Sequence, residues 1–176
     1  MRMYAGKVSA ISTDMINQLI SSGAIEPEVD MAGEVLLDIE SVLREYIRTE
    51  REITNKAREI ISQQQLEYRQ LHKLKSKIAD ERGFGIGDRA LDYLTTQIIE
   101  CLFHSRHVAE IFHEDHELRR ILRDVLRTHL RVDDDLDQEV RRRIQNLQEG
   151  TTSWEVEYNK VMEDIKRLKG LTDAPA

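Results

Sequence analysis

The sequence predicts an all-α fold: two tandem pseudo-repeats of about four helices each, forming an elongated two-lobed helical bundle. Three observations predict it. Apolar residues recur at helical spacing almost everywhere, and alternation of period two is nowhere sustained. One apolar pattern occurs twice, 83 residues apart: Val42-Leu43-Arg44 returns as Val125-Leu126-Arg127, and Arg48, Arg58 and Ile61 return as Arg131, Arg141 and Ile144. Gly and Pro are scarce, at 8 and 2, which argues against a sandwich or barrel rich in turns. The expectation is about 65% helix or more and no sheet, well above the ~30–35% helix of an average protein.

Val8, Ile11, Met15, Ile16, Leu19 and Ile20 form one face of a first helix, and Gly23 is placed to end it. Pro27 lies in the connection. Val35, Leu36, Ile39, Val42, Leu43, Tyr46 and Ile47 begin a long helical stretch that continues through Ile53, Ala57 and Ile61, as one rod or broken near Thr49. Gln63-Gln64-Gln65 marks a boundary. Leu66, Leu71, Leu74 and Ile78 carry a further helix to Gly83. In the second copy Asp88 is a candidate cap for a helix with Leu91, Leu94, Ile98, Ile99 and Leu102. Ser105 to Asp115 reads as a connection and Leu118 to Leu130 as a helix. Asp133 to Asp135 suit the start of the next one, where the dipole favours negative charge. Trp154, Tyr158, Val161, Ile165 and Leu168 form the last amphipathic face. The expected division is 1–82, first helical repeat; 83–87, Gly-rich linker; 88–171, second helical repeat; and 172–176, disordered tail.

Charged residues make up 34%, against roughly 25% in an average protein. Net charge is −7, with 12 basic and 14 acidic residues up to Gly83 and 14 and 19 after it. That balance argues against general nucleic-acid binding, which needs a positive footprint. The lone Cys101 cannot form an internal disulfide, in keeping with a reducing, cytoplasmic setting. No apolar run reaches the ~18 residues needed to span a bilayer, and no secretory apolar region follows Met1.

Several blocks carry a resemblance. They are Leu37-Asp38-Ile39-Glu40-Ser41-Val42-Leu43-Arg44-Glu45-Tyr46, Arg48-Thr49-Glu50-Arg51-Glu52-Ile53, Gly83-Phe84-Gly85-Ile86-Gly87-Asp88 with Ala90-Leu91-Asp92-Tyr93, Glu114-Asp115-His116-Glu117-Leu118-Arg119, Asn146-Leu147-Gln148-Glu149-Gly150-Thr151, and Trp154-Glu155-Val156-Glu157-Tyr158. Together the chain resembles the bacterial domain-of-unknown-function family number five-hundred-and-seven, from Met1 to about Leu171. The resemblance implies a bacterial, all-helical, soluble protein. It supplies no activity, cofactor or catalytic residue.

Three constellations could carry chemistry. Cys101, His104, His107, His113 and His116 fall within sixteen positions, and imidazoles at helical spacing can bind a transition metal. Yet His113-Glu114-Asp115-His116 is one residue short of the zinc-protease pattern, and Glu110-Ile111-Phe112-His113 lacks the second Glu-x-x-His unit of a di-iron bundle. The favoured reading is a polar loop and helix start, with no metal and no cofactor. Gly83-Phe84-Gly85-Ile86-Gly87-Asp88 invites a phosphate-loop reading, but a helix precedes it and Asp88 would repel the anion, so it reads as a linker. Arg119, Arg120, Arg123, Arg127 and Arg131 lie within about a third of a helix circumference. The first copy has Leu36, Leu37, Glu40, Arg44 and Arg48 at the matching positions, so the stripe is not required by the fold. It can be a solvated face paired with Asp133, Asp134, Asp135 and Glu139, or it can hold an acidic partner. Leu36 and Leu37 can widen an apolar stripe to seat another helix or subunit. No nucleophile with a base is recognisable. The favoured function is a non-enzymatic, cytoplasmic protein-interaction module with an acidic protein partner and no membrane contact. The alternatives are a regulatory nucleic-acid binder using the arginine stripe, and a metal-dependent sensor or enzyme at His104 to His116.

Overall fold

The computed structural model describes residue 3, residues 5–147 and residues 151–168, excluding the side chains of residues 130–135, 152 and 155. Helix makes up 78% of it. The elements run α1 (Val8–Ser21), β1 (Ile25–Pro27), α2 (Ala32–Gln64), α3 (Leu71–Glu81), α4 (Ala90–His104), β2 (Val108–Ile111), α5 (Asp115–Arg143) and α6 (Thr152–Leu168). Short 3-10 turns precede α1, α3 and α4. The expected tail at 172–176 lies outside the described residues.

Among the described residues each stretch therefore supplies three α-helices and one strand, where about four helices were expected. The break near Thr49 is absent and α2 is one rod of 33 residues, ~50 Å long at 1.5 Å per residue. α5 likewise runs unbroken through Asp133 to Asp135, which do not start a new helix. Its start is a capping box at Glu114 and Glu117, each side chain accepting the other's backbone N–H. Asp88 does not cap α4; it sits in the preceding 3-10 turn, and Arg89 occupies the cap position without a side-chain bond.

The front half of each rod builds a shared core. α1 packs on α2 and α5, and α4 packs on α2 and α5, so the four close into a ring. Ile11, Met15 and Leu19 of α1 meet Val35, Ile39 and Leu43 of α2, Leu94, Ile98 and Leu102 of α4, and Leu118, Leu122 and Leu126 of α5 in one apolar cluster. Each fully buried Leu or Ile there contributes roughly 1.5–3 kcal/mol. A core drawn from both sides of the 83–87 turn takes the place of two separate lobes. The rear half of α2 continues this cluster with Ile53 and Ala57 against Ile78 and Ala79 of α3. The rear half of α5 forms a second, smaller cluster with α6, made of Leu136, Val140, Ile144, Tyr158, Met162 and Ile165.

The expected absence of a sheet is corrected by one small ribbon. β1 and β2 pair antiparallel, Ile25 opposite Ile111 and Glu26 opposite Glu110, with a bulge at Glu26/Pro27. The ribbon joins the two stretches at the end of the bundle where α1 and α4 stop and α2 and α5 begin.

The turn from α3 to α4 is set by glycines for two different reasons. Gly83 has φ +62 and closes α3, its N–H bonding Asp80 O while Phe84 N–H bonds Ala79 O. That left-handed cap buries Phe84 against the core, 4.9 Å from the Tyr46 ring and 4.8 Å from Tyr93. Gly85 is needed for space: a Cβ there would lie 2.4 Å from Tyr93 Cβ and 2.7 Å from Arg89 O. The Tyr46 hydroxyl donates to Gly85 O at 3.1 Å. Burial pushes the Tyr46 phenol well above its usual range, helped by Glu50 and Tyr93.

Candidate interaction surface

The arginine stripe does not present one open basic face. Arg119 lies along α5 with its guanidinium on both Asp115 oxygens (2.5 and 3.2 Å) and on Thr96 Oγ1 of α4 at 2.8 Å. Arg123 pairs with Asp92 of α4. Thr96 and Asp92 tie the two arginines to α4, with Asp115 a same-helix partner of Arg119. The side chains of Asp133 to Asp135 lie outside the described residues. Arg120 and Arg127 are exposed, and Asp124 on the same helix is also exposed. The side chain of Arg131 lies outside the described residues. A double charge reversal, Arg119→Glu with Arg123→Glu, is expected to lower stability by about 1–2 kcal/mol, because each new carboxylate meets an existing one. Urea unfolding followed by circular dichroism reads this, and an unchanged midpoint would return both arginines to the solvated class.

The matching positions in the first stretch carry a different pair. Ser9 and Glu40 stand at the sites of Asp92 and Arg123, and the Ser9 hydroxyl donates to the Glu40 carboxylate. That bond holds the Glu40 carboxyl below its usual value against its burial, with help from Arg44 at 3.0 Å. Leu36, at the site of Arg119, packs partly buried against the core, whereas Leu37 is 53% exposed. Of the two leucines only Leu37 is left free as a contact.

The histidines do not converge. His104 ends α4 with Nδ1 2.7 Å from Glu100 O of its own helix. His116 is exposed beside Glu114. The His113 side chain is half-buried, and its backbone N–H bonds Ala24 O. His107 Nδ1 lies 3.0 Å from Asp38 Oδ2. Among the described residues no three His, Cys, Asp or Glu side chains are grouped as metal ligands. Ser105 Oγ donates to the same Asp38 oxygen at 2.5 Å, and Cys101 Sγ lies 3.8 Å from Asp38 O. This trio is not a nucleophilic triad, because a triad needs the imidazole between hydroxyl and carboxylate. Here serine and histidine both bond the carboxylate, which locks the α4–β2 loop onto α2. Burial, with Asp38 nearby, pushes the Cys101 thiol up, away from thiolate chemistry.

What the sequence reading missed is the ribbon end. Ile20, assigned to the buried face of α1, is 40% exposed there. Val29 and Met31, between β1 and α2, are exposed as well. So are Phe103 at 59% and Phe112 at 56%, two of the chain's three phenylalanines. Phe112 N–H bonds Ala24 O, which sets Phe112 beside the end of α1; Glu28 N–H bonds His107 O, which sets Val29 beside the end of α4. A signal was present: Ile20 and Phe103, and Val29 and Phe112, are matched at the 83-residue shift, and all but Ile20 lie off the helical stripes.

Against known proteins, one family model, described as Protein of unknown function (DUF507), matches residues 1–171. The chain belongs to this family. The membership agrees with the resemblance read from the sequence and assigns the family no reaction or ligand. No curated protein matches the chain. Among the described residues no helix is long and apolar enough to cross a membrane.

Proposed function

We propose that this family member is a non-catalytic helical interaction module, grown from an internal duplication, that docks a partner protein on its ribbon end. The duplication is supported by the order helix, strand, long helix, helix in each stretch. α1 shifted by 83 residues falls on α4, β1 on β2, and the start of α2 on the start of α5. Ser12 and Thr95, both fully buried, occupy matched sites. The copies interlock around a shared bundle with a pseudo-twofold arrangement through the ribbon.

The observation that carries the docking reading is the exposure of Phe103 and Phe112. Burying such a ring gains roughly 1.5–3 kcal/mol, yet a chain poor in aromatics leaves both in solvent at one end. Large apolar side chains exposed together at one end of a fold mark a contact site. The arginine stripe is the less favoured surface, because Arg119 and Arg123 already serve the fold.

Replacing both rings, Phe103→Ser with Phe112→Ser, is expected to leave thermal stability within about 0.5 kcal/mol per site, as for surface positions. A photoreactive side chain placed at Phe112 is expected to give a discrete crosslinked species in cells. The same group at Asn55, exposed on the rear half of α2, is expected to give none. A marked loss of stability would make the rings core residues. Crosslinking from both positions, or from neither, would remove the ribbon end as the docking face.

A further inference from the structure

We infer that the partner segment seated on the ribbon end is a basic amphipathic helix, with lysines or arginines flanking an apolar stripe. This rests on the interaction reading above and adds the chemistry of the occupant.

The charge is distributed unevenly. Residues 20–37 and 103–118, which form the ribbon end, carry eight carboxylates and a single arginine, Arg106. That excess of seven negative charges equals the net charge of the whole chain, −7, so the remaining residues balance one another. Elsewhere carboxylates are commonly paired: Glu45 with Arg48, Glu50 with Lys75, Asp80 with Arg89, Asp92 with Arg123. At the ribbon end, Glu26, Glu28, Asp30, Glu34 and Glu110 are exposed, and no ion pair involves them among the described residues. Glu26 and Glu110 even face each other across the ribbon, a like-charge pairing that opposes the strands' association. A cationic partner relieves that repulsion at the moment of docking.

The apolar side chains supply the other half of the match. They come as the pairs Ile20/Phe103 and Val29/Phe112, one member from each copy, all four exposed at the ribbon end among its carboxylates. Carboxylates around exposed apolar rings are complementary to a helix with an apolar stripe and basic edges. Strand addition is disfavoured: the strands have only three and four residues, and Pro27 leaves β1 short of a donor. A second copy of the chain would bring two faces of the same sign together. Nucleic acid is excluded from this face on the same ground.

The test uses the full chain and a fluorescein-labelled amidated peptide of leucine and lysine, about 15 residues long, with leucines at helical spacing. Anisotropy at physiological salt is expected to show saturable binding. Scrambling the peptide to disperse its leucines is expected to weaken binding at least about tenfold, as is Phe103→Ser with Phe112→Ser in the protein. Neutralising Glu26, Glu28 and Glu110 to Gln is expected to do the same and to flatten the salt dependence. Circular dichroism of each variant confirms that the fold is retained. Equal affinity for the scrambled peptide reduces the effect to bulk charge and overturns the inference. So does absence of binding, or binding that the phenylalanine variant leaves unchanged. If the Phe112 crosslink forms in cells while the peptide fails, the interaction function stands and this class of partner falls.

Discussion

Produced as separate chains, residues 1–86 and 87–176 are expected to lose cooperative folding as monomers and to regain it when mixed. Each half leaves its helices without neighbours from the other. α1 loses α5, α2 loses α4, and β1 loses β2. The side chains stranded in water include Ile11, Leu19, Leu94 and Leu102, which are at most 1% exposed in the intact chain. At roughly 1.5–3 kcal/mol for each such side chain, the loss exceeds the 5–15 kcal/mol of a typical domain after a handful of residues. Mean residue ellipticity of each half alone and of the equimolar mixture, with sedimentation to fix the oligomeric state, reads this directly. A half that unfolds cooperatively as a monomer would show that each copy holds its own core.

The second large effect is at Gly85. Gly85→Ala is expected to destabilise the bundle by ~3 kcal/mol, at the upper end of what an added methyl costs in a filled core. The new Cβ would collide with the Cβ of Tyr93 and with the carbonyl of Arg89, and neither is the free end of a flexible side chain. Moving the turn to relieve it would also break the Tyr46 bond to Gly85 O, leaving a phenol in the core. Gly33 provides the control: it lies in the first turn of α2 with nothing within 4 Å of an added Cβ. Gly33→Ala is expected to be neutral or stabilising by up to ~1 kcal/mol, from helix propensity alone. A drop at Gly33 equal to that at Gly85, in urea midpoints followed by circular dichroism, would reject the steric account.

The helices were legible because burying one stripe per helix imprints a 3.6-residue period on Leu, Ile and Val. How they assemble was not, and the duplication is the reason. Leu19 and Leu102 are equivalent positions, so the apolar stripe of α5 could have been covered by α4 alone or, as it is, by α1 as well. The same residues satisfy either arrangement, and only the three-dimensional path of the chain decides. The ribbon escaped notice because three and four residues are too few to show alternation, and Pro27 reads as a turn. Asp133 to Asp135 misled for a related reason: acidic residues suit a helix start, but they are also tolerated mid-helix. In the following turns Arg141 pairs back to Asp137 and Arg143 to Glu139. For the arginine stripe the sequence placed the residues on one helix. It held no sign that Thr96, 23 positions before Arg119, and Asp92, 31 before Arg123, would be waiting on α4. The ribbon end was written in the sequence twice, as matched apolar positions and as a local excess of carboxylates, but only the fold brings the two segments together.

The chain's one tryptophan, Trp154, stacks on Tyr158 at 4.8 Å under the guanidinium of Arg141, within the small cluster of α5 and α6. That cluster shares no buried residue with the main core, so the two need not melt together. The intrinsic fluorescence of this protein is therefore a local thermometer. It reports directly on the contact between α6 and α5, whereas the aromatic side chains of the other ring helices are tyrosine and phenylalanine.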